Sequence, residues 1–166
     1  MSSNRSENNY FDGVRRAYAL AFILVMKAVD ELGSDRGLQM LQEAVDKQAE
    51  IIENEIRRKI PAGSSPLESG VEAYKIFMGD AGAQLKIHER TKGSVTFLVG
   101  RCPLYEALLD IQVDCGYLQG ELCTTMAIPA IRAILKRIDP KLEIESRMIK
   151  ASAEEVCLER IYLSDA

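Results

Sequence analysis

Residues 85–99 read LKIHERTKGSVTFLV, and their spacing decides the fold class. Leu85, Ile87 and Glu89 alternate with Lys86, His88 and Arg90; beyond Thr91-Lys92-Gly93, Val95, Phe97 and Val99 alternate again. Successive strand side chains point to opposite faces, so period two on both sides of a glycine-containing turn predicts a β-hairpin. A second candidate hairpin closes the chain: Leu142 to Lys150, then Val156 to Leu163, with Ser152 to Glu155 as its turn. Hairpin strands pair antiparallel.

Upstream of the first hairpin the period is helical. Val14, Tyr18, Ala21, Val25, Ala28 and Leu32 recur in steps of four and three and form one stripe from Phe11 to Leu32. Leu20, Ile23 and Leu24 lie partly off that stripe. A helix apolar nearly all round is central to its fold or shared with a partner. Gly33 stops it, and Ser34 is the candidate N-cap of a second helix running to about Ile60. The second stripe is Leu38, Leu41, Val45, Ile52 and Ile56, interrupted by Gln48. Pro61 ends that helix. Ser65-Pro66-Leu67-Glu68 then has a capping residue, a proline at the first helical position and the glutamate of a capping box. The third helix fades at Gly79 to Gly82.

Between the hairpins, Cys102-Pro103 opens a helix through about Val113, Gly116 and Gly120 loosen the chain, and another helix reaches Ile138. Pro129 kinks that helix or marks its true start, and Asp139-Pro140 breaks it. Three helices, a hairpin, two helices and a hairpin predict an α+β fold, with a small antiparallel sheet packed on helices. Residues 1–9 (MSSNRSENN) read as a frayed polar tail, and 10–166 as a single α+β domain.

Composition narrows the function classes. The chain has 166 residues, 47% hydrophobic and 28% charged, with a formal net charge of −4. That balance supports one sizeable core and argues against intrinsic disorder. A sequence pI of about 5.2 argues against a nucleic-acid coat. The longest apolar run, Ala17 to Met26, is far short of the roughly 20 residues a membrane span needs. It also lacks a cleavage site, since Lys27 and Asp30 follow it, so no membrane association and a cytoplasmic location are expected. In that reducing setting Cys102, Cys115, Cys123 and Cys157 are expected as thiols, metal ligands or core residues, and no CxxC pair is present.

Cys102 stands out because it follows a strand and precedes Pro103, which places it at a helix N-terminus beside Arg101. Both neighbours favour thiolate, so its pKa is expected below the free value of about 8.5. The alternative is a small residue filling a buried corner. Cys123 and Cys157, with Glu145 on the partner strand of Cys157, would suit zinc if the helix packs on the sheet; separate core cysteines are the alternative. Cys115 is assigned no role. His88, the one histidine, shares a strand face with Lys86 and Arg90 and reads as a surface residue. The basic runs Arg57-Arg58-Lys59 and Arg132 with Lys136-Arg137 fall near helix C-termini, where they complement the dipole. Gly-rich phosphate loops are missing.

The segment Cys102 to Tyr162 resembles the L-2-amino-thiazoline-4-carboxylic acid hydrolase-like family. Arg101-Cys102-Pro103, Glu121-Leu122-Cys123, Leu142-Glu143-Ile144-Glu145 and Cys157 carry the resemblance. That family looks related to vinyl-4-reductase-type ligand domains, which combine helices with a small antiparallel sheet, are often dimeric and can hold zinc with cysteine and glutamate. The resemblance implies hydrolysis of a C–N bond in a small cyclic amidine bearing a carboxylate. Water would be activated by zinc on Cys123 and Cys157, or Cys102 would attack as thiolate, with Glu145 as acid-base group and Arg101 or Arg147 holding the carboxylate. The chain departs from the family at Met126 and Ala127, where an acidic and a polar residue are common, and at Ala153, where a glycine shapes the hairpin. The alternative is a non-catalytic small-molecule domain for an apolar or tetrapyrrole-like ligand, lined by Met126, Met148, Phe97 and Leu98. A third reading is a helical dimerisation module. The wide apolar surface of the first helix beside the second predicts a homodimer.

Overall fold

The computed structural model describes residues 3–111, 123–152 and 154–164, with side chains from Tyr10 onward. Its order is α1 (Ser3–Leu32), α2 (Ser34–Lys59), α3 (Pro66–Asp80), β1 (Leu85–Arg90), β2 (Ser94–Val99), α4 (Pro103–Asp110), a π-helical turn (Cys123–Ala127), α5 (Ile128–Ile138), β3 (Leu142–Met148) and β4 (Cys157–Leu163). This is the α+β class expected from the spacing. α1 begins at Ser3, so the helix takes in polar residues assigned above to a tail. Cys115, Glu121 and Ala153 lie outside the described residues. No described helix is long and apolar enough to cross a membrane.

Local chemistry explains the helix boundaries. Between α1 and α2 the N-cap is Gly33, not Ser34. Gly33 takes φ +83°, a left-handed conformation that side chains resist, and this reverses the chain in one residue. The reversal is tight: Gly37 faces Val29, and a Cβ there would meet the Val29 Cα at 2.9 Å. At α3 the capping box forms as read, Ser65 accepting from the Glu68 amide and Glu68 accepting from the Ser65 amide. Pro129 falls in the first turn of α5, so it marks a start. Having no N–H to give back to the preceding turn, it follows a stretch where the backbone widens into the π turn.

The four strands run β1-β2-β4-β3, so the two hairpins join edge to edge through β2 and β4. All three pairings are antiparallel. Bulges shift the register between Ile87 and Glu89 and between Ser146 and Met148, which places His88 and Arg147 at irregular positions. Leu142, Ile144, Val95, Phe97, Val99, Cys157 and Ile161 are buried on one face of the sheet. α3 and α5 contact the sheet, while α1 packs on α4 and α2 packs on α5. α3 approaches closely because Gly70 has no side chain: a Cβ there would sit 2.6 Å from Leu142 Cδ2. The free edge at β3 is closed by Arg132, whose Nη2 donates to the Ile144 carbonyl at 3.0 Å.

Candidate functional site

α1 leans on α2 and α4 and leaves a gap toward α3. Two adjoining cavities occupy it, of about 430 Å³ and about 280 Å³. Both are bordered by Tyr18 and Ala21 of α1, Gln48 of α2 and Phe77 of α3. The larger continues along Val14, Ile52 and Ile56 to Asp80. Its end is tied by Tyr10, whose hydroxyl donates to the Asp80 carbonyl. The smaller runs from Phe22 and Val45 to Leu104 of α4, Met126 of the π turn and Ala130 of α5. Such volumes suit a small molecule, and apolar walls with a few polar groups are how such sites are built. The polar wall residues are Tyr10, Tyr18, Gln48, Glu55 and Asp80. Gln48 is the residue that interrupts the apolar stripe of α2, and that interruption was its signal in the sequence.

Behind the first turn of α4 lies a polar cluster. Cys102 is the N-cap of α4, as its place before Pro103 predicts. Its thiol is nevertheless pushed up to about 11, because burial outweighs the lowering by the Tyr105 and Leu104 amides. The thiolate expectation is therefore corrected. The Arg101 guanidinium lies 3.6 Å from the centre of the Phe11 ring, and its Nε meets Glu106 at 3.4 Å. Burial likewise pushes Cys123 up to about 12 and raises Cys157. Tyr18, on the cavity wall, is raised first by burial and then by Cys102, so the cavity and the cluster adjoin.

Two further members carry no signature in the motif reading. Glu159 sits on β4, two residues after Cys157 and on the same face, and accepts a hydrogen bond from the Tyr74 hydroxyl at 2.7 Å. Burial raises its carboxyl pKa. Tyr74 in turn stacks at a tilt on Phe97, with ring centres 4.8 Å apart. Lys150 is buried; its amide faces the Cys157 sulfur, its ammonium donates to the Gly100 carbonyl at 2.8 Å and lies 4.3 Å from the centre of the Tyr105 ring. Strand alternation on β4 would have put Glu159 inward beside Cys157 and Ile161.

The remaining expected residues are elsewhere. Glu145 pairs with Arg160 on the opposite face of the sheet from Cys157. There it holds Arg147 at 2.9 Å and Arg160 at 3.3 Å, and the two guanidiniums lower its pKa. Glu145 and Arg147 thus satisfy each other away from the cysteines, and Arg101 belongs to a third location. Glu145 thus lies on the face of the sheet opposite Cys157, and among the described residues no group of three or more His, Cys, Asp and Glu comes together to hold a metal ion. Of the expected lining, Met126 borders the smaller cavity, whereas Leu98 pairs with Leu158 and Met148 with the same Leu158, on the far face from Phe97. His88 is exposed on β1, as read.

No family model and no curated protein sequence matches the chain. Solved structures do. One is a trafficking protein particle complex subunit 3 from Naegleria fowleri covalently bound to palmitic acid, similar over 90% of this chain and 96% of its own at a TM-score of 0.52 and 14% identity. Another is the phenol-responsive sensory domain of the transcription activator PoxR with phenol, similar over 88% of this chain and 74% of its own at a TM-score of 0.56 and 9% identity. At such identities the likeness is one of fold. Neither structure names the hydrolase-like family.

Proposed function

We propose that this chain is a binding domain for an apolar small molecule seated between α1, α2 and α3. The observation that carries the reading is the pair of adjoining cavities, about 430 Å³ and about 280 Å³, that share Tyr18, Ala21, Gln48 and Phe77. Removing apolar ligand surface from water supplies the affinity, at about 25 cal/mol per Å² before the cost of ordering. The few polar wall groups orient the ligand. Two structures of the same fold support the reading, since one carries palmitic acid and the other phenol. The hydrolytic alternative needs an acid-base carboxylate, a cation and a nucleophile in one place. Glu145, Arg147, Arg101 and Cys102 do not supply that arrangement here.

A ligand that binds only the folded state raises its stability by mass action, by about 2.7 kcal/mol at a hundredfold excess over Kd. For a domain of this size that corresponds to a rise in Tm of roughly 5–10 °C. The test is a thermal-shift series with phenol, alkyl phenols and fatty acids below their micellar concentrations, repeated on Ala130→Phe, which fills the smaller cavity from α5. The expected result is a concentration-dependent rise that Ala130→Phe abolishes for the larger compounds while the circular dichroism stays native. A flat response to every apolar compound overturns the reading.

A further inference from the structure

We infer that Lys150 and Tyr105 form the recognition site for a carboxylate carried by the ligand. The inference rests on the binding reading above and deepens it. Tyr105 is 1% exposed, and its hydroxyl is buried with no hydrogen-bond partner. Buried hydroxyls without partners are rare and destabilising, so an orphan of this kind points to a group that is supplied from outside the chain. Lys150 is 3% exposed. Its ammonium has three donors; one goes to the Gly100 carbonyl, and the cation faces the Tyr105 ring. Among the described residues no carboxylate pairs with it. A buried ammonium normally has a counter-ion.

The surroundings fix the class of ligand. The neighbouring thiols of Cys123 and Cys157 are kept protonated by burial, so neither serves as the missing anion. Among the described carboxylates, Glu159 accepts from the Tyr74 hydroxyl and Glu155 from the Ala151 amide, and Glu154 is exposed, its charge reaching Tyr105 without an ion pair to Lys150. What remains among the described residues is a buried hydroxyl with no partner beside an ammonium that has a carbonyl acceptor but no counter-ion. A carboxylate, with two oxygens and up to four lone-pair positions, satisfies both at once. An amine or a metal cation would meet Lys150 with like charge. The place is suitable as well. Tyr105 directly follows Leu104, and Cys123 precedes Met126 by one turn; Leu104 and Met126 are both walls of the smaller cavity. An acid whose apolar body lies against Leu104 would bring its head group to the first turn of α4, which Leu104 shares with Tyr105.

Decanoate and 1-decanol, with the same chain length and different heads, test this by calorimetric titration against the full chain. The unmodified protein should bind decanoate at least about tenfold more tightly than decanol, the scale of one charge-assisted hydrogen bond. Lys150→Met and Tyr105→Phe should each weaken decanoate toward the decanol value and leave decanol unchanged. If Lys150→Met does not fold, Tyr105→Phe decides alone, because it removes only an unpaired hydroxyl and should melt no lower than the parent. Equal affinity for the two heads, or equal weakening of both by Tyr105→Phe, overturns the carboxylate site while leaving the cavity reading in place. Failure of both compounds to bind overturns the cavity reading itself.

Discussion

Replacing Tyr74 by phenylalanine isolates the chemistry of the buried cluster. The ring is 1% exposed, and phenylalanine keeps its packing on Phe97, so only the hydroxyl is lost. That hydroxyl donates to Glu159 at 2.7 Å, a normal short O–H···O distance. Its loss costs about 1 kcal/mol if the carboxyl is neutral and up to about 3 kcal/mol if it is charged. At roughly 2–4 °C per kcal/mol for a domain of this size, Tm should fall by about 2–4 °C in the neutral case and by up to about 12 °C in the charged one. The pH dependence gives the sharper test. Burial raises Glu159 above its usual 4.5, whereas the Tyr74 hydrogen bond lowers it and so favours the charged form. The folded state then holds a proton that the unfolded chain has released, and stability falls as pH rises from the ordinary carboxyl value through the raised one. Removing the phenol must therefore cost more at high pH than at low pH. Glu159→Gln should flatten the dependence and reduce the Tyr74→Phe penalty to the neutral value. Urea denaturation followed by circular dichroism from about pH 4 to about pH 8 measures all four proteins. A Tyr74→Phe penalty that is independent of pH, or zero throughout, would refute the reasoning.

Three other outcomes follow from the packing. Cys102 and Cys123, raised to about 11 and about 12, should alkylate near neutral pH at least about a hundredfold more slowly in the native protein than in the unfolded chain; rapid native labelling of Cys102, mapped by mass spectrometry, would restore the thiolate reading. Gly37→Ala puts a Cβ 2.7 Å from Val29 Cγ2 and 2.9 Å from its Cα, so α1 and α2 must part, at a cost of about 1–3 kcal/mol against about 1 kcal/mol gained in helix propensity; a rise in the denaturation midpoint would show that the hairpin is loose. Leu20 and Leu24 lie one turn apart on α1, 59% and 58% exposed, and we expect a second copy to cover them. Light scattering should give twice the chain mass at micromolar concentration and a monomer for Leu24→Lys, and a monomer in the unmodified protein would end that proposal.

The two hairpins, the capping box at Ser65, the proline start of α5 and the α+β class were written in the sequence, because each depends on the conformational preferences of residues a few positions apart. So was more of the site than the motifs suggested. Alternation alone places Glu145 on the face opposite Ile144 and Glu159 on the face of Cys157, and that parity separates the Glu145 carboxylate from the Cys157 thiol. Other properties were not local. Cys102 occupies the helix N-terminus that its neighbours predict, yet its thiol is held neutral by burial, a desolvation set by everything packed around it. The union of the hairpins through β2 and β4, the gap that α1 leaves beside α3, and the meeting of Lys150 with Tyr105 join residues dozens of positions apart. Spacing encodes which face a side chain takes; what that face meets, and whether water reaches it, depends on contacts that only the closed tertiary structure makes.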